Sequence, residues 1–302
     1  MWFLVGPTAV GKTEIAIELA VRLQAEIITA DSMQVYRGMD IGTAKPTKSQ
    51  RAGIRHHLLD VADIHERYNA ARYRTEALEL VPQIVQSGRH PLVVGGSGLY
   101  IRSLTQGLFE GKKPDPEIRK KWMMMGKERG MSFLHHVLKR VDPVSAGKIS
   151  PADVRRVVRA LEHFETTGRP ISEERTQWGN ARTGFDIVIG LNRPRESLYE
   201  RCDRRVLQMI EQGFLEEVRK LRAGLESNDA AAQAVGYKEA LAHLRGEISR
   251  NEMVALIQKH TRQLAKRQLT WFRHEPNLKW INIEDGQTTS EVASLLEPFY
   301  RP

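Results

Sequence analysis

Eight residues near the amino terminus, Gly6-Pro7-Thr8-Ala9-Val10-Gly11-Lys12-Thr13, constrain the fold of this chain most strongly, because they match the phosphate-binding pattern G-x-x-x-x-G-K-[ST]. Such a loop works only between a buried strand and a helix, and its flanks supply both. The apolar run Trp2-Phe3-Leu4-Val5 precedes it, and Glu14-Ile15-Ala16-Ile17-Glu18-Leu19-Ala20 follows with helical periodicity. The glycines let backbone amides turn inward around a phosphate. The helix N-terminus adds positive potential, Lys12 a point charge and the Thr13 hydroxyl a ligand for Mg²⁺. The expected fold is therefore α/β, a P-loop core with a central parallel sheet flanked by helices.

The following segments extend that sheet. Ala25-Glu26-Ile27-Ile28-Thr29-Ala30 reads as a second strand in a right-handed strand-helix-strand unit, so Asp31-Ser32-Met33-Gln34 falls on the sheet edge that carries the phosphate loop. Three roles are open to Asp31: general base, Mg²⁺ ligand, or cap of the next segment. Residues 35–46, punctuated by Gly38, Gly42 and Pro46, read as an irregular active-site loop in which Lys45 could meet phosphate. His57-Leu58-Leu59-Asp60 is a candidate short strand. His56 and His57 point to opposite faces there, which argues against a shared metal. A helix is expected from Tyr73 through Ser87, then a buried strand at Pro91-Leu92-Val93-Val94. That strand enters a second glycine-rich turn, Gly95-Gly96-Ser97-Gly98-Leu99-Tyr100, without the acidic residue that a nucleoside triphosphatase would place there for Mg²⁺.

Strand signals cease between about 111 and 184, so an all-helical insertion over 111–184 is expected to divide a core of 1–110 and 185–302. Within it Ser150 and Asp153 form a capping box with Pro151 at the first helical position. Val154, Val157, Val158, Leu161 and Phe164 make a buried stripe. Arg155, Arg156 and Arg159 face away from it, as a solvated basic face or as contacts to a phosphate backbone.

The sheet resumes at Phe185-Asp186-Ile187-Val188-Ile189-Gly190-Leu191, and the next helix carries Arg201 and Arg205 four residues apart. They are either a clamp on a diphosphate or surface partners of Glu200 and Glu211. The turn Ala234-Val235-Gly236-Tyr237-Lys238-Glu239 reads as exposed. Further on, Lys259, Arg262, Lys266 and Arg273 form a basic stripe ending beside Trp271 and Phe272, either a nucleic-acid surface or core aromatics at a helix end. A last strand at 279–283 and a helix from Ser290 close the chain.

A net charge of +9 fits a phosphate ligand and raises the question of a polyanionic partner. Cys202 is the single cysteine, which excludes an internal disulfide framework and a cysteine-based zinc site and fits a reducing cytoplasm. No run reaches the length of a membrane span. The first strand begins at Trp2 and leaves no room for a cleavable targeting segment, so a cytoplasmic location is expected.

Together these segments resemble the bacterial tRNA dimethylallyltransferases, also called tRNA isopentenyltransferases. The resemblance rests on residues 6–13, Asp31-Ser32-Met33-Gln34-Val35-Tyr36, residues 38–46, residues 95–100 and Thr261-Arg262-Gln263-Leu264-Ala265-Lys266-Arg267-Gln268-Leu269-Thr270-Trp271-Phe272-Arg273. Ser97 stands where that family's turn usually carries threonine, and serine keeps the hydroxyl. The resemblance implies transfer of a dimethylallyl group from dimethylallyl diphosphate to N6 of the adenosine 3′ of the anticodon, in tRNAs reading codons that start with U. It implies that Gly6 to Thr13 bind the diphosphate, with Mg²⁺ on Thr13 and an arginine such as Arg205 or Arg201 at the leaving oxygens. Asp31 becomes the general base, and Ser97 hydrogen-bonds near the reacting groups. Asp31, Ser32, Met33, Gln34, Ser97, Lys266 and Arg273 contact tRNA, and Arg119, Arg155, Arg156 and Arg159 of the insertion grip the anticodon arm. A monomer suffices. The competing reading is a P-loop kinase or nucleoside triphosphatase using ATP.

Overall fold

The computed structural model describes residues 1–108, 115–174, 187–275 and 277–300. The chain divides into two compact units, Met1–Thr105 with Gly184–Pro302, and Gln106–Thr183.

The first unit is built on one parallel sheet. Its strands among the described residues are β1 (Trp2–Val5), β2 (Ala25–Ala30), β3 (His56–His57), β4 (His90–Gly95), β5 (Ile187–Asn192) and β6 (Leu278–Asn282), in the spatial order β3-β2-β4-β1-β5-β6. Phe3, Leu4 and Val5 are fully buried, as both faces of a parallel sheet are covered by helices. The helices of this part of the chain are α1 (Lys12–Arg22), α2 (Ala70–Gln86) and α3 (Gly98–Thr105). The second unit holds α4 (Pro116–Arg129), α5 (Met131–Val141), α6 (Pro143–Lys148), α7 (Val154–Thr167) and α8 (Ile171–Glu174), around a core that includes Leu134, Leu138 and Leu161. The first unit resumes with α9 (Arg195–Glu211), α10 (Phe214–Ser227), α11 (Asp229–Ala232), α12 (Tyr237–Leu244), α13 (Arg250–Arg273) and α14 (Thr289–Tyr300).

The strand order decides where chemistry can happen. Although β1 and β2 are consecutive in sequence, β4 lies between them, and the register aligns Val5 with Gly95 and Gly95 with Ala30. The residues that follow these three positions, Gly6, Gly96 and Asp31, thus leave the same sheet edge side by side. Gly95 is obligatory at this point, because a Cβ there would stand 2.0 Å from the Ala30 carbonyl oxygen. Gly95→Ala is expected to destabilise the protein by roughly 1–3 kcal/mol or more. Urea unfolding checks this, and an unchanged midpoint would contradict the register.

Several local expectations are corrected. The strand at 57–60 shrinks to His56–His57 because Leu58 (φ 59°) and Asp60 (φ 56°) adopt left-handed backbone that no strand tolerates. The helix expected from Tyr73 starts at Ala70, where the Asn69 side chain accepts from the amides of Ala71 and Arg72. No capping box forms at Ser150. Asp153 is the N-cap, accepting from Arg156 N–H, so α7 starts at Val154 and residues 150–153 close a turn through Asp153 N–H donating to the Ser150 carbonyl (2.9 Å). Tyr237, read as exposed, is fully buried. Phe185, Asp186 and the expected boundaries at 110–111 and 184–185 lie outside the described residues.

Candidate active site

The phosphate loop is shaped by backbone that favours glycine. Gly6 has φ +150° and Gly11 φ +104°, Ala9 is also left-handed at φ +63°, and a Cβ on Gly6 would lie 2.7 Å from the Leu191 carbonyl oxygen. Gly11 is the N-cap of α1 and offers no side chain, so the first-turn amides of the helix remain directed at the loop's hollow. Lys12 folds across that hollow, Nζ donating to the Pro7 carbonyl at 2.6 Å. Burial pushes its pKa down to about 8, against the pull of Asp31 and with a further push from Arg205.

Arginines from beyond β5 close around the loop. Arg201 Nε donates to the Ala9 carbonyl (2.8 Å), Arg205 Nη1 to Thr8 Oγ1 (2.9 Å) and Arg193 Nε to the Val10 carbonyl (3.0 Å). Arg201 and Arg205 therefore serve the loop, and neither pairs with Glu200 or Glu211 among the described residues. Burial holds the Arg205 guanidinium below its ordinary pKa, with Asp31 opposing. Arg193, absent from the sequence expectations as a site residue, is lowered by burial and by Arg201.

Facing these cations is Asp31. Its Oδ1 accepts from Met33 N–H (2.9 Å) and Gln34 N–H (3.3 Å), so the capping role is realised, while Oδ2 has no hydrogen-bond partner among the described residues. Ser97 Oγ accepts from Ser32 N–H at 2.9 Å, which binds the glycine-rich turn after β4 to the turn that holds Asp31. Gln34 Nε2 donates to the Thr43 carbonyl (3.0 Å). Lys12, Thr13, Asp31, Gln34, Arg201 and Arg205 line one cavity of about 800 Å³. Thr13 Oγ1 makes no hydrogen bond among the described residues and is available to a hard cation. No cluster of three or more His, Cys, Asp or Glu side chains able to hold a metal occurs among the described residues.

Other residues singled out in the sequence lie elsewhere in the fold. Lys45 is buried, its three protons donated to the Tyr36 carbonyl (2.8 Å), Asp40 Oδ1 (2.6 Å) and Asp60 Oδ1 (2.5 Å), so it anchors its loop and is not free for phosphate. Lys266 and Arg273 line a separate cavity of about 560 Å³ with Arg193, Arg195 and Tyr199. Phe272 is core, and Trp271 packs on Gly98 under the Arg102 guanidinium. In the second unit Arg119 and Arg159 converge on the buried Glu162 at 3.2 and 3.3 Å, and Arg156 pairs with Asp153 at 3.2 Å. Arg155 has no charged partner among the described residues. His57 Nε2 meets Glu26 (2.6 Å), and Cys202 is buried with its thiol pushed up to about 11 by that burial.

One site residue escaped the sequence expectations although it lies within the quoted block 261–273. Gln268 Oε1 accepts from Thr8 N–H (2.7 Å) and its Nε2 donates to the Gly96 carbonyl (3.0 Å), joining the two glycine-rich loops across the cavity wall. The Thr8 amide is thereby committed to α13 and cannot meet a phosphate. Gln268→Leu, which keeps the volume and deletes both bonds, is expected to slow catalysis by about 10²-fold through misplacement of the loops. Steady-state rates beside an unchanged far-UV spectrum check this.

A sequence profile of the family described as IPP transferase matches residues 34–275. A tRNA dimethylallyltransferase of Acetivibrio thermocellus is 44% identical over 298 residues, covering 97% of this chain and 95% of the relative. Among solved structures, the full-length tRNA isopentenylpyrophosphate transferase of Bacillus halodurans superposes with a TM-score of 0.72 at 38% identity, over 98% of this chain and 94% of that one. A eukaryotic dimethylallyltransferase captured acting on tRNA reaches a TM-score of 0.82 at 28% identity, over all of this chain (100%) and 80% of its own.

Proposed function

This chain belongs to the IPP transferase family, and we infer from that membership and from the geometry of its cavity that it is a tRNA dimethylallyltransferase. The donor is dimethylallyl diphosphate, and the acceptor is the exocyclic N6 of the adenosine 3′ of the anticodon in tRNAs reading codons that start with U. The observation that carries this reading is a single cavity in which a phosphate loop met by Lys12, Arg201 and Arg205 faces the Asp31 carboxylate, whose Oδ2 has no hydrogen-bond partner among the described residues.

The diphosphate lies against the amides at the start of α1, with its charge met by Lys12 and Arg205. Negative charge grows on the leaving oxygen as the allylic C–O bond breaks, and cations fixed in advance around the loop stabilise that charge more than the ground state. Mg²⁺ fits a hard oxygen donor such as the Thr13 hydroxyl, which would hold it beside the diphosphate, where it would supply charge neutralisation. The N6 lone pair forms the new C–N bond, diphosphate departs with the electron pair of the broken bond, and the nitrogen becomes strongly acidic. Asp31 Oδ2 takes its proton, while Oδ1 stays fixed by the Met33 and Gln34 amides. The adenine must leave its stack to enter the cavity. In the second unit, Arg155 and Arg156 supply cations for the phosphates of the anticodon arm, and the paired Arg119 and Arg159 leave a net positive charge beside Glu162. The first unit contributes Lys266 and Arg273 to the RNA contact, and a monomer is sufficient for the reaction.

Unmodified transcripts carrying adenosine or guanosine 3′ of the anticodon test the acceptor. Labelled dimethylallyl diphosphate should mark the adenosine transcript alone. Equal labelling of both would refute N6 of that adenosine as the acceptor.

A further inference from the structure

Residues 38–46 border the cavity without a helix or ladder, so their backbone is held by other means. One face of α10 does this. A Cβ on Gly38 would stand 3.1 Å from Leu221, and one on Gly42 would stand 2.5 Å from the rings of both Phe214 and Tyr237. Between these contacts sits the Glu217 carboxylate. Its Oε2 accepts from the amides of Asp40 (2.9 Å) and Ile41 (2.6 Å), and its Oε1 from the Gly42 amide (3.1 Å) and the Tyr237 hydroxyl (2.6 Å). Phe214, Glu217 and Leu221 recur three and four residues apart, so one helical stripe is given over to this loop.

The hold reaches the reacting end of the cavity. Thr43, one residue past Gly42, offers its carbonyl to Gln34 Nε2, and Gln34 donates its own amide to Asp31 Oδ1. We propose that Glu217 is a positioning residue: it fixes the 38–46 loop and, through the Thr43 carbonyl, the side chain of Gln34 on the wall that receives the acceptor nucleobase. With Nε2 committed to Thr43, Gln34 keeps Oε1 as an acceptor, the polarity that an exocyclic amine requires. The identity of the nucleobase rests on the function proposed above; the hold on the loop does not.

Glu217→Gln separates charge and acceptor capacity from shape, since it replaces one accepting oxygen by an NH₂ turned toward two donors. Amide hydrogen exchange on the full chain reads the loop directly. Exchange at Asp40, Ile41 and Gly42 is expected to accelerate by about tenfold or more while β1 and β4 keep their protection, as loss of hydrogen bonds to a charged acceptor implies. Fluorescence anisotropy with an unmodified anticodon stem-loop RNA should show affinity weakened about tenfold, with dimethylallyl diphosphate affinity within about twofold of wild type. Tyr237→Phe, which removes one of the four donors, should shift both readings in the same direction by less. Unchanged exchange at the three amides in Glu217→Gln would overturn the hold, and a loosened loop with unaltered RNA affinity would overturn the link to the acceptor wall. Absence of prenyl transfer by the wild-type protein would count against the proposed function alone, because neither reading depends on turnover.

Discussion

Asp31→Asn is expected to lower the rate of prenyl transfer by about 10²–10⁴-fold, the usual contribution of a positioned general base. The substitution is informative because the two carboxylate oxygens do different things. Oδ1 accepts from the Met33 and Gln34 amides, a task the Asn side-chain carbonyl can take over, so the turn that carries Ser32 to Gln34 keeps its shape. Oδ2, the oxygen with no partner among the described residues, becomes an NH₂ that cannot accept a proton. Affinity for unmodified tRNA should therefore stay within about twofold, roughly a third of the 1.4 kcal/mol that a tenfold change represents. Asp31→Ala removes both oxygens and should weaken tRNA binding as well. Single-turnover rates and RNA affinities of the two variants separate the roles. Weak tRNA binding by Asp31→Asn with chemistry retained would make Asp31 a structural cap and assign the base to another group.

Lys12→Met is expected to reduce kcat/KM by about 10²–10³-fold, comparable to losing one preorganised donor to a developing anion. A pH signature accompanies it. The Lys12 pKa is pushed down to about 8, mainly by burial, so the ammonium is charged below that pH and neutral above it. Diphosphate binds the charged form better. Affinity should be flat below pH 8 and then fall toward tenfold per pH unit as the free protein loses the proton. Bound diphosphate raises the pKa again, so the corresponding limb of kcat lies at higher pH. Isothermal titration from about pH 7 to about pH 9.5 reads the limb, centred on the shifted value. In Lys12→Met it should vanish, and its persistence there would assign the titration to another group.

What sequence could show of this site depends on how far apart its partners lie. The phosphate loop is legible because its eight residues encode their own backbone. Asp31 is legible because the end of a parallel strand must reach the ligand edge. Arg201 and Arg205 could be singled out by their spacing, but only the fold decides that they meet Ala9 and Thr8 and not neighbouring glutamates. Gln268 reaches Thr8 across 260 residues, Arg193 reaches Val10 across 183 and Glu217 reaches Ile41 across 176. Local pattern carries no trace of such pairings. Lys45 shows the opposite failure: a lysine in a glycine-rich loop looks like an anion ligand until Tyr36, Asp40 and Asp60 are found to use all its protons. Tyr237 beside a glycine reads as exposed because the ring that buries it, Phe214, belongs to another helix at an inter-centroid distance of 5.1 Å. The place of β4 between β1 and β2 is likewise a property of the sheet, not of strand order in sequence.

At the centre of the proposed chemistry, this phosphate loop holds a diphosphate leaving group while an RNA amine takes the allyl group. A single-turnover reaction with dimethylallyl diphosphate labelled in both its allyl carbon and its β-phosphate, Mg²⁺, unmodified tRNA and unlabelled ATP tests this. Carbon label is expected in the tRNA, with an equal amount of labelled diphosphate released intact and ATP unchanged. ATP converted to ADP with no carbon label in the tRNA would contradict it.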